Sequence, residues 1–460
     1  MAALCLHLII GTSVAASLPT TSRVDATLSG LHRYYYSPPG FYKSCGQNGG
    51  LGKSTSSFEC ECEQGTPYCR NCYRWWMGVT LQSFIALNRA VPHHSSLNTT
   101  HALLASMRTH SPYTTRAAPS WAYIDDYVWY VLMWLDAYRW LGIKGDLDEA
   151  AATLELMTQW GVDRACGGID WMYPDTDPRK NSITTLEVIQ ASAQLGVALK
   201  SSAPLRAAEH RHRALSLWSF FESVNLLGDD MLVHDNVTGT AHGKFRCCNA
   251  THAPVCEPRD TLTWSYNQGM MLGAMVDMHA LTDDKQYLAL GAKVLDAVIA
   301  KLTREADGDG DSSSIKQTTV LREPDGVTLT LQSRKCDSKH DPSASAGGDL
   351  FSFKGVFMQQ LPRFLEAASD VLTPTQKAAA KKLVGDSADA AWAARAVPPF
   401  SSSDVCDEYP QTEAGAPPKF TWDWRKPPSS FGRKKTLTCM DARTQSQALA
   451  LFVAEVRLAE

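Results

Sequence analysis

The segment from Tyr123 to Gly142, YIDDYVWYVLMWLDAYRWLG, constrains the fold more than any other part of the chain. Ile124, Val128, Leu132, Leu135 and Tyr138 recur at the three-to-four spacing of a helix, and Val131, Met133 and Trp134 make its remaining faces apolar too. A helix that is apolar all round is stable in water only when other elements enclose it. Gly142 suits the left-handed conformation just past a helix C-terminus and marks the end. Further helical patterns fall at 73–90, 147–160, 183–199, 205–226, 265–281, 284–302, 354–371, 375–395 and 442–459, while alternating strand patterns are rare and short. The chain reads as all-α. Apolar helices such as 125–141 and 265–281 among amphipathic ones such as 284–302 predict two concentric layers. With no sequence repeat visible, a closed helical barrel is expected in place of a solenoid. Polar stretches rich in Ser, Thr, Gly and Pro, near 18–57, 303–348 and 397–437, lie outside this helical pattern.

Asp125 and Asp126 stand at the start of the apolar helix, where burying a charge is costly. Two readings are open. Aspartate is a favoured helix cap, so the pair could simply close the helix end. Alternatively, two carboxyl groups close together in an apolar cleft cannot both ionise easily, and such a pair can serve as acid and base. Two other double aspartates need no function: Asp229-Asp230 reads as a solvated turn, and Asp283-Asp284 precedes the run Gln-Tyr-Leu-Ala-Leu as a cap.

At 460 residues and a net charge of −4, the chain can form a large core and has no basic excess for nucleic acid. Its start, MAALCLHLIIGTSVAAS, has the short apolar run and small-residue site of a secretory signal, which predicts a signal peptide over 1–17 and one domain over 18–460. No later segment approaches the roughly 20 uninterrupted apolar residues of a membrane span, and no lipid-anchor tail is seen, so a secreted, soluble monomer is expected. Removing Cys5 with the signal leaves an even set: Cys45, Cys60, Cys62, Cys69, Cys72, Cys166, Cys247, Cys248, Cys256, Cys336, Cys406 and Cys439. With the sequons at Asn98, Asn236 and Asn249, this set predicts an exported, disulfide-bonded glycoprotein whose N-terminal extension, about 45–72, is cysteine-rich. Zinc held by Cys60, Cys62, Cys69 and Cys72 is the alternative, disfavoured by export. GQNGGLGKS fails as a phosphate loop because Gly46 stands one residue too far from Gly52-Lys53-Ser54. Asp307-Gly-Asp-Gly-Asp311 fails as a calcium loop, with Ser312 at the turn glycine and Thr318 at the bidentate glutamate. Neither a metal nor a cofactor is expected, and Cys166 reads as structural.

Four ordered segments, YIDDYVWYVLMWLDAYRWLG, CGGIDWMYPDTDPRKNSIT, LTWSYNQGMMLGAMVDMHALTDDKQYL and FSFKGVFMQQLPRFL, resemble glycoside hydrolase family 76, the endo-α-1,6-mannanases and their fungal cell-wall relatives. The C-terminal DARTQSQALALF is similar to that family's closing helix, so the resemblance spans most of residues 30 to 458. It implies an (α/α)6 barrel with a substrate groove across one end, and a retaining mechanism in which Asp125 is the nucleophile and Asp126 the acid/base. Adjacent residues at a helix start diverge by about 100° and can supply the roughly 5–5.5 Å carboxyl separation that retention needs. Trp171, Trp264 and Tyr266 could present aromatic faces to sugars, with core packing the competing reading. Asn267 and Gln268 could bond sugar hydroxyls, with a plain helix cap as the alternative. One departure stands out. Where the family continues Lys-Asn-x-Ile-x with Asn-Glu, this chain has Thr185-Leu186, and a glutamate follows only at Glu187. The resemblance implies a hydrolase of mannan-type polysaccharide. Transfer of the glycosyl group to a cell-wall glycan or glycoprotein anchor is the first alternative, and an inactive glycan-binding protein the second. Mannose itself, endo or exo action and disulfide pairing are not legible in composition or spacing.

Overall fold

The computed structural model of the protein describes residues 20–37, 41–42, 75–111, 122–163, 167–173, 179–238, 257–305, 319–324, 346–397, 416–420, 424 and 442–459. These form a mostly helical structure with helices α1 (Thr20–Tyr35), α2 (Trp75–Ala90), α3 (Leu97–His110), α4 (Ile124–Leu141), α5 (Lys144–Gly161), α6 (Ser182–Ala198), α7 (Pro204–Ser223), α8 (Ser265–Thr282), α9 (Gln286–Lys301), α10 (Ala346–Ala367), α11 (Pro374–Ala393) and α12 (Ala442–Ala459). Short antiparallel strands decorate them: β1 (Tyr36–Ser37) with β2 (Phe41–Tyr42), β3 (Ala122–Tyr123) with β4 (Met172–Tyr173), and β8 (Thr303–Glu305) with β9 (Thr319–Leu321). A three-stranded sheet joins β5 (Arg179–Asn181), β6 (Asn236–Thr238) and β7 (Glu257–Asp260).

Two layers emerge from the packing. Helices α2, α4, α6, α8, α10 and α12 pack each against the next, and α12 returns to α2. The others lie outside: α1 on α12, α3 on α2, α5 on α4, α7 on α6, α9 on α8, and α11 on α9 and α12. The inner helices are buried on nearly every side; in α6 each residue from Ser182 to Gly196 is buried. The outer ones are one-sided, as α9 shows with Leu288, Ala292, Leu295 and Val298 turned inward. Close approach between α8 and α10 depends on Gly269, where a Cβ would stand 2.5 Å from Phe357 Cα.

Gly142 terminates α4 at φ +69°, as the sequence predicts. Asp229-Asp230 forms an exposed turn. The other aspartate pair splits its duties. Asp284 Oδ1 accepts from the Gln286 N–H at 2.9 Å, while Asp283 ends α8 in the left-handed conformation at φ 62°. Two helices contradict the sequence reading. Helix α1 falls inside a stretch taken as polar, because a few residues, Val24, Leu31 and Tyr34 with Leu28 beside them, supply the apolar stripe of a helix that docks on α12. Helix α3, which had no predicted counterpart, is carried by Leu103, Leu104 and Met107 on a short polar segment.

The sequon at Asn236 also departs from expectation. This residue is 4% exposed within the three-stranded sheet, and the Nδ2 that would carry a glycan donates to Asp235 Oδ2 at 3.1 Å. Asn98 is exposed in the first turn of α3. Asn249, every cysteine, the signal segment, Lys53 of the rejected phosphate loop and Asp307–Asp311 lie outside the described residues. No described helix is long and apolar enough to cross a membrane.

Two glycines in helices separate packing from propensity. Gly269→Ala forces α8 away from α10 and is expected to cost about 1–3 kcal/mol. Gly385→Ala, in α11 with nothing within 4 Å of its added Cβ, is expected to gain about 0.5–1 kcal/mol. Urea unfolding midpoints moving in opposite directions, at unchanged m, would bear this out.

Candidate active site

The start of α4 is set by the segment that follows α5. Strand β4 pairs with β3, Ala122 opposite Tyr173 and Tyr123 opposite Met172, and the Ile124 N–H donates to the Trp171 carbonyl at 2.9 Å. A first-turn N–H that the helix itself cannot satisfy is thereby accepted from outside. Gly168 makes the segment's turn possible: its φ is +76°, and a Cβ there would stand 2.6 Å from the Phe220 ring. Lys180, 3% exposed at its side chain, ties the segment down through Asp170 and, at 3.3 Å, Asp163.

This register brings Trp171 to Asp125. The indole Nε1–H donates to Asp125 Oδ2 at 2.9 Å, and the Asp126 N–H donates to Asp125 Oδ1 at 2.9 Å. Donors on both oxygens favour the ionised carboxylate and fix its orientation. Neither aspartate caps the helix: Tyr123 stands at the cap position without a side-chain cap bond, and Asp125 and Asp126 sit half-buried within the first turn. The Trp171 ring leans on Tyr123 with centroids 4.7 Å apart, and the Arg179 guanidinium lies 4.4 Å from its centroid. Its N–H edge has a defined task where the sequence suggested only a face for sugars.

Helix α6 supplies a third carboxyl group. Its first N–H, from Ser182, donates to the Asp235 carbonyl at 2.8 Å, and one turn further in stands Glu187, fully buried. Neither Glu187 oxygen has a hydrogen-bond partner among the described residues. Burial, then the charges of Asp125 and Asp126, push this carboxyl well above its ordinary range, which favours its protonated form.

At the start of α8 the four remaining sequence candidates divide. Asn267 Nδ2 donates to Asp235 Oδ1 at 3.1 Å, and the Tyr266 hydroxyl lies 3.4 Å from the same oxygen. Burial pushes the Asp235 carboxyl up, against the bonds from Asn236 and Asn267 that favour its charge. Tyr266 stacks on Phe353 at 3.8 Å, and Trp264, 9% exposed, meets Phe353 edge-on at 5.6 Å. Gln268 departs from expectation. It is fully buried, accepts from the Val233 N–H and donates to the Val233 carbonyl, both at 2.8 Å, so its amide anchors the 226–235 loop and is not offered to hydroxyls. The helix end is capped from afar by Glu323, which accepts the Ser265 N–H at 2.9 Å and the Ser265 hydroxyl.

The structure therefore brings Trp171 to Asp125, and Tyr266 and Asn267 to Asp235, with the start of α6 between the two groups. Sequence reasoning missed Asp235, whose only signal was its place beside a sequon, and Glu323. Among the described residues no group of three or more His, Cys, Asp or Glu could hold a metal ion.

A helical scaffold carrying two adjacent carboxyl groups at one helix start, one of them held by an indole N–H, has the makings of an acid–base and nucleophilic site. The model of glycosyl hydrolase family 76 matches residues 40–408, and the chain belongs to that family. Solved structures share its fold at low identity. An α-1,6-mannanase of Salegentibacter sp. HEL1_6, inactivated by replacing two consecutive aspartates with alanine and bound to α-1,6-mannotetrose, superposes with a TM-score of 0.62 at 16% identity, covering 96% of this chain and 100% of that one. The family 76 mannosidase Bt3792 of Bacteroides thetaiotaomicron gives 0.61 at 15% identity, covering 96% and 98%. Dfg5 of Chaetomium thermophilum, in complex with glucosamine, gives 0.53 at 15% identity, covering 83% and 80%. Comparison with curated proteins finds no match.

Trp171→Phe keeps the ring and removes one donor from Asp125. Loss of a hydrogen bond to a charged group, about 1.5–3 kcal/mol, is expected to lower kcat/KM by roughly 10- to 100-fold. Because the lost donor favoured the carboxylate, the acid limb of the pH–rate profile should move to higher pH, which a pH series of initial rates would detect.

Proposed function

We propose that the protein is a secreted, retaining glycoside hydrolase that cleaves α-1,6-mannosidic linkages in mannan-type polysaccharides, with Asp125 as nucleophile and Asp126 as acid/base. In this reading the ring of six inner helices is an (α/α)6 barrel whose groove crosses the helix starts. One observation carries the assignment of roles. Asp125 receives the indole N–H and a backbone N–H, the setting of a carboxylate that must stay ionised, whereas its neighbour diverges from it by about 100° around the helix. Asp126 would protonate the glycosidic oxygen as Asp125 attacks the anomeric carbon, and then, as carboxylate, take a proton from the water that releases the sugar. Tyr266 and Asp235 would line the groove beyond α6, with Asn267, fully buried, holding Asp235 from behind. The α-1,6 linkage is taken from the Salegentibacter mannanase, whose inactive variant with two consecutive aspartates replaced holds an α-1,6-mannotetrose.

The likeness to Dfg5, whose structure holds glucosamine, favours a second reading in which the same covalent intermediate passes to a sugar acceptor. Incubation with linear α-1,6-mannan separates the two: shortened chains that keep the α-anomer support hydrolysis, and lengthened products support transfer. Asp126→Ala is expected to lose about 10²–10⁴-fold on mannan, to retain glycosylation by an activated aryl mannoside, and to be accelerated by azide. Asp125→Ala should stay folded yet be inactive on both substrates. A trapped 2-fluoro-sugar found on Asp126 by mass spectrometry would reverse the roles, and mannan cleavage intact in either variant would refute the reading.

A further inference from the structure

Glu187 is the most expensive side chain in the structure that nothing else accounts for. It lies on α6, packed between α4 and α8, with no exposed surface and no hydrogen bond to either oxygen among the described residues. A buried carboxyl group without partners costs stability, and a leucine in its place would not. Its near neighbours on α6 are handled differently: Thr185 bonds back to the Asn181 carbonyl at 2.9 Å, and Leu186 is fully buried and apolar. The groups that act on Glu187 are Asp125 and Asp126, in the first turn of α4. Asp277 of α8 lies about two turns further along, taken up by Gln194 and Arg363, and His210 of α7 faces Glu155 and Arg213.

We propose that Glu187 is a positioning residue of the hydrolytic site, a third carboxyl group that meets the aspartate pair from the neighbouring inner helix and offers its O–H to hold the ionised member in place. This rests on the reading of Asp125 and Asp126 as the reacting pair. A second charge beside Asp125 would oppose the ionisation that nucleophilic attack requires, whereas a neutral acid adds a donor and no charge. The O–H has no other acceptor within the described structure, so the carboxylate that forms beside it is the group it can serve.

The test uses the full chain with Glu187→Gln and Glu187→Leu. Glutamine keeps a neutral donor of the same shape and is expected to leave kcat on α-1,6-mannan within about threefold and the pH–rate limbs in place. Leucine is expected to lower kcat about tenfold or more with KM nearly unchanged. Stability gives a second readout that does not depend on substrate. Burial raises the folded pKa above the unfolded one, so the folded chain holds a proton that the unfolded chain has lost, and wild-type stability falls as pH rises from about 4.3. Glu187→Gln should therefore melt above wild type by about 2 °C or more at pH 7 and by little at pH 4. A collapse of kcat or a displaced limb in Glu187→Gln, wild-type kinetics in Glu187→Leu, or a pH-independent melting difference would each overturn the proposal. A wild-type protein inactive on mannan and on aryl mannosides would instead overturn the functional reading, and this proposal with it.

Discussion

An inner helix enclosed on all sides leaves its polar side chains nothing to bond with except one another, and this shapes the molecule at both ends of the ring. Towards the C-terminal ends of the inner helices the charged side chains meet this demand across the ring, while amide oxygens such as Gln82 Oε1 and Gln194 Oε1 have no partner among the described residues. Asp277 of α8 accepts from Gln194 of α6 at 2.7 Å and from Arg363 of α10 at 2.9 Å, and Arg363 also donates to Gln360 at 2.8 Å. Asp136 of α4 accepts from Gln82 of α2 at 2.8 Å and from Arg139. Burial alone would raise the Asp136 carboxyl; Arg139 and Arg363 hold it below the usual range. The bonds from Gln194 and Arg363 to Asp277 and from Gln82 to Asp136 cross from one inner helix to the next, so these residues help to fix the spacing of the ring.

At the helix starts the same demand is deliberately left incomplete. Among the described residues neither Glu187 oxygen has a hydrogen-bond partner, Asn267 Oδ1 and Thr184 Oγ1 have none, and the Asp235 carboxyl is raised despite three donors nearby. Unsatisfied polar groups near two carboxyl groups suit a site for polyhydroxylated ligands, since a sugar brings many donors and acceptors. The apolar surroundings then have a purpose beyond stability. They make the charge of each carboxyl group depend on the few donors that reach it, so Trp171 can distinguish Asp125 from Asp126 although the two are adjacent in sequence.

Much of this was legible in the chain. The inner helices announce themselves because all-round apolarity leaves no other place for them, and the end of α4 at Gly142 follows from the backbone freedom of one residue. Helix α1 was not legible, because three buried apolar side chains, Val24, Leu31 and Tyr34, suffice once α12 offers a surface, and local composition cannot report a distant partner. For the same reason the tie between Ser265 and Glu323, 58 positions apart, and the clasp of Gln268 on Val233 are invisible in sequence. Gln268 is instructive, as an amide beside Trp and Tyr looks like a sugar contact, yet its full burial between two backbone groups gives it to the loop.

The shift from Asn-Glu to Thr185-Leu186-Glu187 can now be given physical content. Moving a carboxyl group one residue along a helix turns it by about 100°, enough to carry it from one neighbouring helix to another. Here Leu186 takes a fully buried apolar place, Thr185 folds its hydroxyl back on its own helix, and Glu187 is the residue whose carboxyl feels Asp125 and Asp126. A carboxyl group on this stretch of α6 is thus retained beside the pair, reached from a different rotational position. Since α6 also presents its first N–H to the Asp235 carbonyl, the helix touches both halves of the candidate site. Any rotation of α6 would move Glu187 against Asp125 and Asp235 against Asn267 together, which makes this one helix the element that sets their mutual geometry.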